Sequence, residues 1–102
     1  MATPEPKELV FADAAVEDLE LIFAISILEW GDDHFYRFRE ELITSIRRLL
    51  EQPELGRERN DLSPGLRTLY VEPHEVAYMV SDKAVEVVRV LHQRRDLRRI
   101  RW

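Results

Sequence analysis

The sequence predicts an α+β fold of order β-α-α-β-β-β, a helical hairpin packed on one face of an antiparallel sheet. Two observations carry that prediction. Apolar residues recur at a helical period over residues 14–52, then switch to a strand-like alternation near Gly65. A chain of 102 residues also has room for only one core, so the sheet must cover its apolar face with the hairpin.

Each element follows in turn. Residues 1–8, with Pro4 and Pro6, read as a loose lead-in to Leu9–Ala12, an apolar run of strand length. Asp13 offers an N-cap oxygen to a first helix that extends to about Trp30, with Glu17 and Asp18 near its positive end. Gly31 stops that helix, and Asp32 or Asp33 caps a second one through Phe35, Phe38, Leu42, Ile46 and Leu49. Pro53 forbids further helix, and a connection of about three residues makes the pair an antiparallel hairpin. Gln52–Gly65 is irregular. Three strands follow at Leu66–Glu72, Glu75–Ser81 and Ala84–His92, punctuated by Pro73-His74 and Asp82-Lys83. The last, apolar on both faces, belongs inside the sheet. Residues 1–102 form one domain, ending in a basic tail at 93–102.

Composition narrows the class. Without cysteine there is no disulfide framework and no thiolate metal site. No stretch approaches a membrane span or a signal-peptide core, which makes a cytoplasmic protein without membrane contact the expectation. The net charge of −5 hides an asymmetry. Six arginines against Asp96 give Arg89–Trp102 a charge of +5, leaving −10 on the first 88 residues. A basic end on an acidic body suits two different partners; its alternative is a solvated, fraying terminus.

Helical geometry assigns the faces. Ala15, Val16, Leu19, Ile22, Phe23, Ile27 and Trp30 share the core arc of the first helix. Leu21, Ile25 and Leu28 lie roughly opposite, flanked by Glu17, Asp18 and Glu29. Either the second helix covers this stripe or a partner's amphipathic helix does. Tyr36, Ile43 and Leu50 form a stripe on the second helix that meets the first helix or the same partner.

Catalytic constellations are few. His34, His74 and His92 are far apart in sequence, Gly31, Gly56 and Gly65 form no phosphate loop, and no serine sits in a nucleophile elbow. Neither a metal nor a cofactor is expected. Arg57, Arg59, Arg67, Arg89, His92, Arg94 and Arg95 remain as a basic set that could converge on phosphates or be paired with Asp61, Asp82 and Asp96.

Five segments together resemble a known family: Ala15-x-x-Asp18-Leu19-Glu20-x-Ile22, Leu49 through Arg59, Gly65–Val71, Val76–Val80 and Val87–Asp96. They are similar to the ParE branch of the RelE/ParE superfamily, the toxins of bacterial type II toxin–antitoxin pairs. The resemblance spans Leu9–Asp96 in the family's own element order. It implies a toxin that poisons DNA gyrase and is held by a ParD-like antitoxin. Operator DNA would then be bound only through the antitoxin. The expected target-binding residues are His92, Arg94, Arg95, Arg98, Arg99 and Trp102; the expected antitoxin seat is Leu21, Ile25, Leu28, Tyr36, Ile43 and Leu50.

The superfamily's other branch cleaves mRNA on the ribosome, and in that alternative Arg67 and Arg89 would grip phosphate while His92 moves a proton. Relatives of that branch resemble His-Arg-Leu-Val-Tyr in the third strand, where this chain has Glu75 in His-Glu-Val-Ala-Tyr. Its tyrosine after the histidine is replaced by Gln93, and its central-loop lysines are missing, since the two lysines are Lys7 and Lys83. These departures favour the gyrase reading, with no catalytic residue.

Overall fold

The computed structural model describes residues 7–102; most of the expected lead-in lies outside them. The elements are β1 (Glu8–Phe11), α1 (Asp13–Trp30), α2 (Asp32–Glu51), β2 (Arg57–Glu58), β3 (Arg67–Val71), β4 (His74–Val80) and β5 (Ala84–His92), then a 3₁₀ turn at Leu97–Arg99. The helical hairpin packs on the sheet as the sequence predicts. Glu8, however, belongs to β1, one residue before the expected Leu9, and Lys7 donates to the Ser81 carbonyl at 2.6 Å.

Five strands form one mixed sheet in the order β1-β5-β4-β3-β2. The antiparallel expectation holds for β2·β3, β3·β4 and β4·β5, while β1 runs parallel to β5, Glu8 opposite Ala84 through Phe11 opposite Val87. The intervening helices and strands supply the long crossover that parallel pairing requires. The short β2 lies in the stretch expected to be irregular, with Arg57 opposite Thr68.

A bulge interrupts the β4·β5 ladder: Val87 faces Tyr78 and Arg89 faces Ala77, so Val88 is the extra residue. That one-residue insertion lets Val87 and Val90 both join the core beneath the helices. Ala15, Leu42, Ile46, Val71 and Val76 complete its centre, and Leu49, Tyr78 and Val85 form a second, smaller cluster.

Helix boundaries match their sequence signals, but the caps differ. Ala12, not Asp13, precedes α1, and no side chain caps it. The connection is the single residue Gly31 rather than about three, and neither Asp32 nor Asp33 occupies the N-cap. At φ +81°, Gly31 donates to Ile27 to close α1 while its carbonyl accepts from Phe35 to start α2. One left-handed residue thereby serves as stop and start, leaving the acids in the first turn to meet the helix dipole.

The core arc of α1 is shorter than predicted. Ala15, Leu19, Ile22 and Phe23 pack on the core, whereas Val16, Ile27 and Trp30 are exposed. The free end of the hairpin is tied instead by aromatic contacts. Phe23 meets the Phe35 and Phe38 rings edge-on at 5.6 and 6.3 Å, and Trp30 lies 5.2 Å from His34.

Candidate functional site: the groove between the first helix and the last strand

Since β1 ends opposite Val87, the outer edge of β5 beyond that point has no strand beside it. Asp18 of α1 takes over there. Its carboxylate accepts from the Arg89 guanidinium at 2.8 and 2.9 Å and from the Val90 backbone N–H at 2.9 Å. Past this clasp, α1 and β5 separate into an open cavity of about 270 Å³. Leu21, Ile22 and Ile25 form one wall, and Val90, Leu91 and His92 the other.

His74, the first residue of β4, closes the cavity floor and is 7 % exposed. Its ring sits 5.4 Å from Phe38 and 5.5 Å from His92, its cross-strand neighbour. Burial, and secondarily the nearby His92, lowers its pKa from 6.5 to about 4, so the ring is neutral near pH 7. Its Nδ1 is buried and has no hydrogen-bond partner within the described chain.

The stripe on α1 is open. Leu21, Ile25 and Leu28 are exposed by 63, 44 and 84 %, so α2 does not cover them. Tyr36 is likewise exposed near the hairpin end, whereas Ile43 is half-buried and Leu50 packs on the Leu49–Tyr78–Val85 cluster. The second-helix stripe is therefore divided, with Leu50 drawn into the protein's own core.

The basic end folds back rather than trailing. Arg95 lines the cavity, and the Arg94 N–H donates to His92 Nδ1 at 3.1 Å. Asp96 caps the 3₁₀ turn through the Arg98 N–H and lies 3.6 and 3.7 Å from the exposed Arg98 and Arg99 guanidiniums. Trp102 turns inward: its indole N–H donates to the Leu97 carbonyl at 2.9 Å, and its ring shares a cleft with Leu66, Met79 and Val88. Of the six expected target residues, Trp102 is thus a packed anchor, and the surface charge comes from the arginines.

The arginines expected of a nuclease have internal partners. Arg89 belongs to the Asp18 clasp, and hydrogen bonding to Asp18 raises its pKa. Arg67 donates to the Gly56 and Glu54 carbonyls at 2.7 and 3.3 Å and pairs with Glu58 at 3.1 Å. On the opposite sheet face, Arg57, Arg59, Tyr70 and Glu75 line a separate cleft. There Arg59 grips Asp61 through two 3.0 Å bonds, which lower the Asp61 pKa. Burial raises the Glu75 carboxyl, with Arg59 opposing. Tyr70 donates to Gln93 at 2.7 Å.

Sequence reasoning missed the Asp18 clasp and the His74 floor. A partial signal existed for the first: Arg89 is a lone cation within Val87-Val88-Arg89-Val90-Leu91 and so calls for an acidic partner, but nothing in sequence singles out Asp18 from Glu17 and Glu20 beside it. For the second there was none, because the three histidines are far apart in sequence.

Comparison with known proteins places the sequence and the fold. The family described as the ParE toxin of the parDE type II toxin–antitoxin system matches residues 9–97. Toxin ParE1 of Mycobacterium tuberculosis is 35 % identical over 91 residues, covering 88 % of this chain and 93 % of that protein. Toxin ParE1 of Caulobacter vibrioides is 33 % identical over 84 residues, 82 % of this chain and 86 % of its own. A chain of the chromosomal ParDE system from P. aeruginosa superposes with a TM-score of 0.72 at 22 % identity, covering 84 % of this chain and 95 % of that one. On the family match and these identities, this chain belongs to the ParE toxins of type II toxin–antitoxin systems.

Proposed function

We propose that this toxin acts by binding and inhibiting DNA gyrase through its basic C-terminal end, and that a ParD-like antitoxin neutralises it by covering the α1 stripe. The observation that carries the gyrase reading is the state of Arg67 and Arg89. Both guanidiniums are engaged inside the protein, so the phosphate-gripping pair of the nuclease alternative is already occupied. Glu75, standing where the nuclease branch carries an arginine, puts a carboxylate rather than a cation in the cleft with Arg57, Arg59 and Tyr70. Arg94, Arg95, Arg98 and Arg99 remain exposed, a surface suited to salt-sensitive binding of a gyrase–DNA complex. The antitoxin reading is supported by the exposed Leu21, Ile25 and Leu28, a contiguous apolar stripe that suits an amphipathic helix. In this reading operator DNA is bound by the antitoxin, which fits the acidic body of the toxin.

The test is induction of the toxin without antitoxin, followed by assays of gyrase supercoiling and DNA cleavage beside ribosome-dependent mRNA cutting. Lost supercoiling with intact mRNA is the expected result. Cut mRNA with normal supercoiling rejects the gyrase assignment in favour of the nuclease.

A further inference from the structure

The cleft on the sheet face turned away from the helices has no part in the toxin–antitoxin reading. Cross-strand register builds it. Arg57 stands opposite Thr68, and one row further along Tyr70 stands opposite Glu75. Residues opposite one another in a ladder share a face, and alternation along β3 puts Thr68 and Tyr70 on the same one. Gly56 and Thr68, both small and buried, leave a hollow of about 370 Å³ rimmed by Leu55, Arg57, Arg59, Tyr70 and Glu75. That size falls within the roughly 300–1,000 Å³ of small-ligand sites.

The rim carries three different chemistries. Tyr70 is 51 % exposed, and its hydroxyl donates to Gln93 at 2.7 Å, so the ring is a fixed plane with an open side. Arg59 is already engaged by Asp61. Arg57 is exposed and Glu75 half-buried, and neither has an ion-pair partner among the described residues. An aromatic plane, an unpaired carboxylate and an unpaired guanidinium around one hollow suit a flat ring, a pair of donors and an anion on a single ligand.

A nucleotide combines those groups, and the carboxylate selects the base. Guanine presents two adjacent donors, N1–H and the N2 amino group, which match the two oxygens of a carboxylate. Adenine and cytosine each set a ring-nitrogen acceptor beside the amino donor, and uracil flanks its one donor with carbonyls. Each of these would hold a lone pair against Glu75.

We propose that this cleft binds a guanine nucleotide, with the base stacked on Tyr70, its Watson–Crick edge on Glu75 and its phosphate on Arg57. Glu75 sets the choice of base, Tyr70 supplies an attraction common to all bases, and Arg57 makes binding salt-dependent. None of the three belongs to the arginine end or to the α1 stripe, so the site stands apart from the gyrase and antitoxin surfaces. A free nucleotide and an unpaired guanine in a single strand present the same groups.

The full chain is titrated calorimetrically with GMP, AMP, CMP and UMP, then with single-stranded oligonucleotides that differ in one central guanine. GMP should bind about tenfold or more tightly than the other three. Glu75→Gln should remove that advantage over AMP, whereas Tyr70→Ala should weaken all four nucleotides alike. Circular dichroism checks that both variants fold, and the GMP–AMP comparison on wild type needs no variant. A guanine-containing strand that binds more tightly than GMP puts the natural ligand in a nucleic acid, and equal affinities assign it to the free nucleotide; both support the guanine site. No binding of GMP, equal binding of GMP and AMP, or a Glu75→Gln variant that keeps the preference overturns the proposal and leaves the gyrase reading as it stands.

Discussion

Asp18 holds Arg89 through two hydrogen bonds of 2.8 and 2.9 Å while accepting the Val90 backbone N–H at 2.9 Å. One carboxylate thus fastens α1 to the edge of β5 at the point where β1 stops shielding it. Both side chains are mostly buried, 15 and 24 % exposed, so removing either partner strands a charge. Asp18→Ala should cost about 2–3 kcal/mol, measured by urea unfolding. Arg89→Ala should cost a similar amount, and the double variant less than the sum of the two. Additive losses would show that the pair does not act as a unit.

Tyr78 anchors the loop after α2 from within the core. Its hydroxyl donates to the Pro53 carbonyl and accepts from the Gly56 N–H, both at 2.7 Å. A Cβ on Gly56 would sit 2.5 Å from that hydroxyl and 2.9 Å from the Thr68 carbonyl. Gly56→Ala should therefore destabilise by about 2–3 kcal/mol, since backbone cannot yield as a flexible side chain does. Tyr78→Phe should cost about 1–3 kcal/mol through two unmade hydrogen bonds. Thermal melts of the two variants check both values.

His74 sets an acid limit on stability. Its native pKa of about 4 lies below the ordinary 6.5, so the unfolded chain takes up the proton first as pH falls. Its contribution is complete above pH 6.5 and is lost on descending towards pH 4, about 2 kcal/mol by pH 4.5. Asp18, His92 and Arg95 line the same cavity, and burial-raised Glu75 slopes the opposite way in the acid range. Comparing urea midpoints of wild type and His74→Gln from pH 7 to 4.5 isolates the histidine. Parallel curves would refute the assignment.

Trp102 holds the basic end against the sheet through the Leu97 carbonyl and its cleft with Leu66, Met79 and Val88. Trp102→Ala should cost about 1–2 kcal/mol, below a fully buried tryptophan because the ring is only half-buried. It should also free Arg98, Arg99 and Arg101 for tryptic cleavage. Limited proteolysis read by mass spectrometry checks this: unchanged cutting rates at those arginines would mean the ring does not restrain the segment.

Local physics alone determined the order of the longer elements of this protein, though not the two-residue β2. Gly31, Pro53 and the change of apolar period act within a few residues, so both helices and the bounds of β5 are legible without a fold. The α1 stripe was legible for the same reason, because helical geometry places Leu21, Ile25 and Leu28 on one side whatever lies beneath. Everything joining distant residues had to await the tertiary structure. The parallel β1·β5 pairing and the Val88 bulge depend on register between strands far apart in sequence, on which apolar alternation is silent. Arg67, Arg89 and Trp102 read as surface chemistry in sequence because an arginine or tryptophan carries no mark of its partner. Glu54, Gly56 and Glu58, then Asp18, then Leu97 made them structural. The groove itself, with Arg95 inside and Arg94 outside, arises where α1 and β5 diverge, a distance that only packing sets.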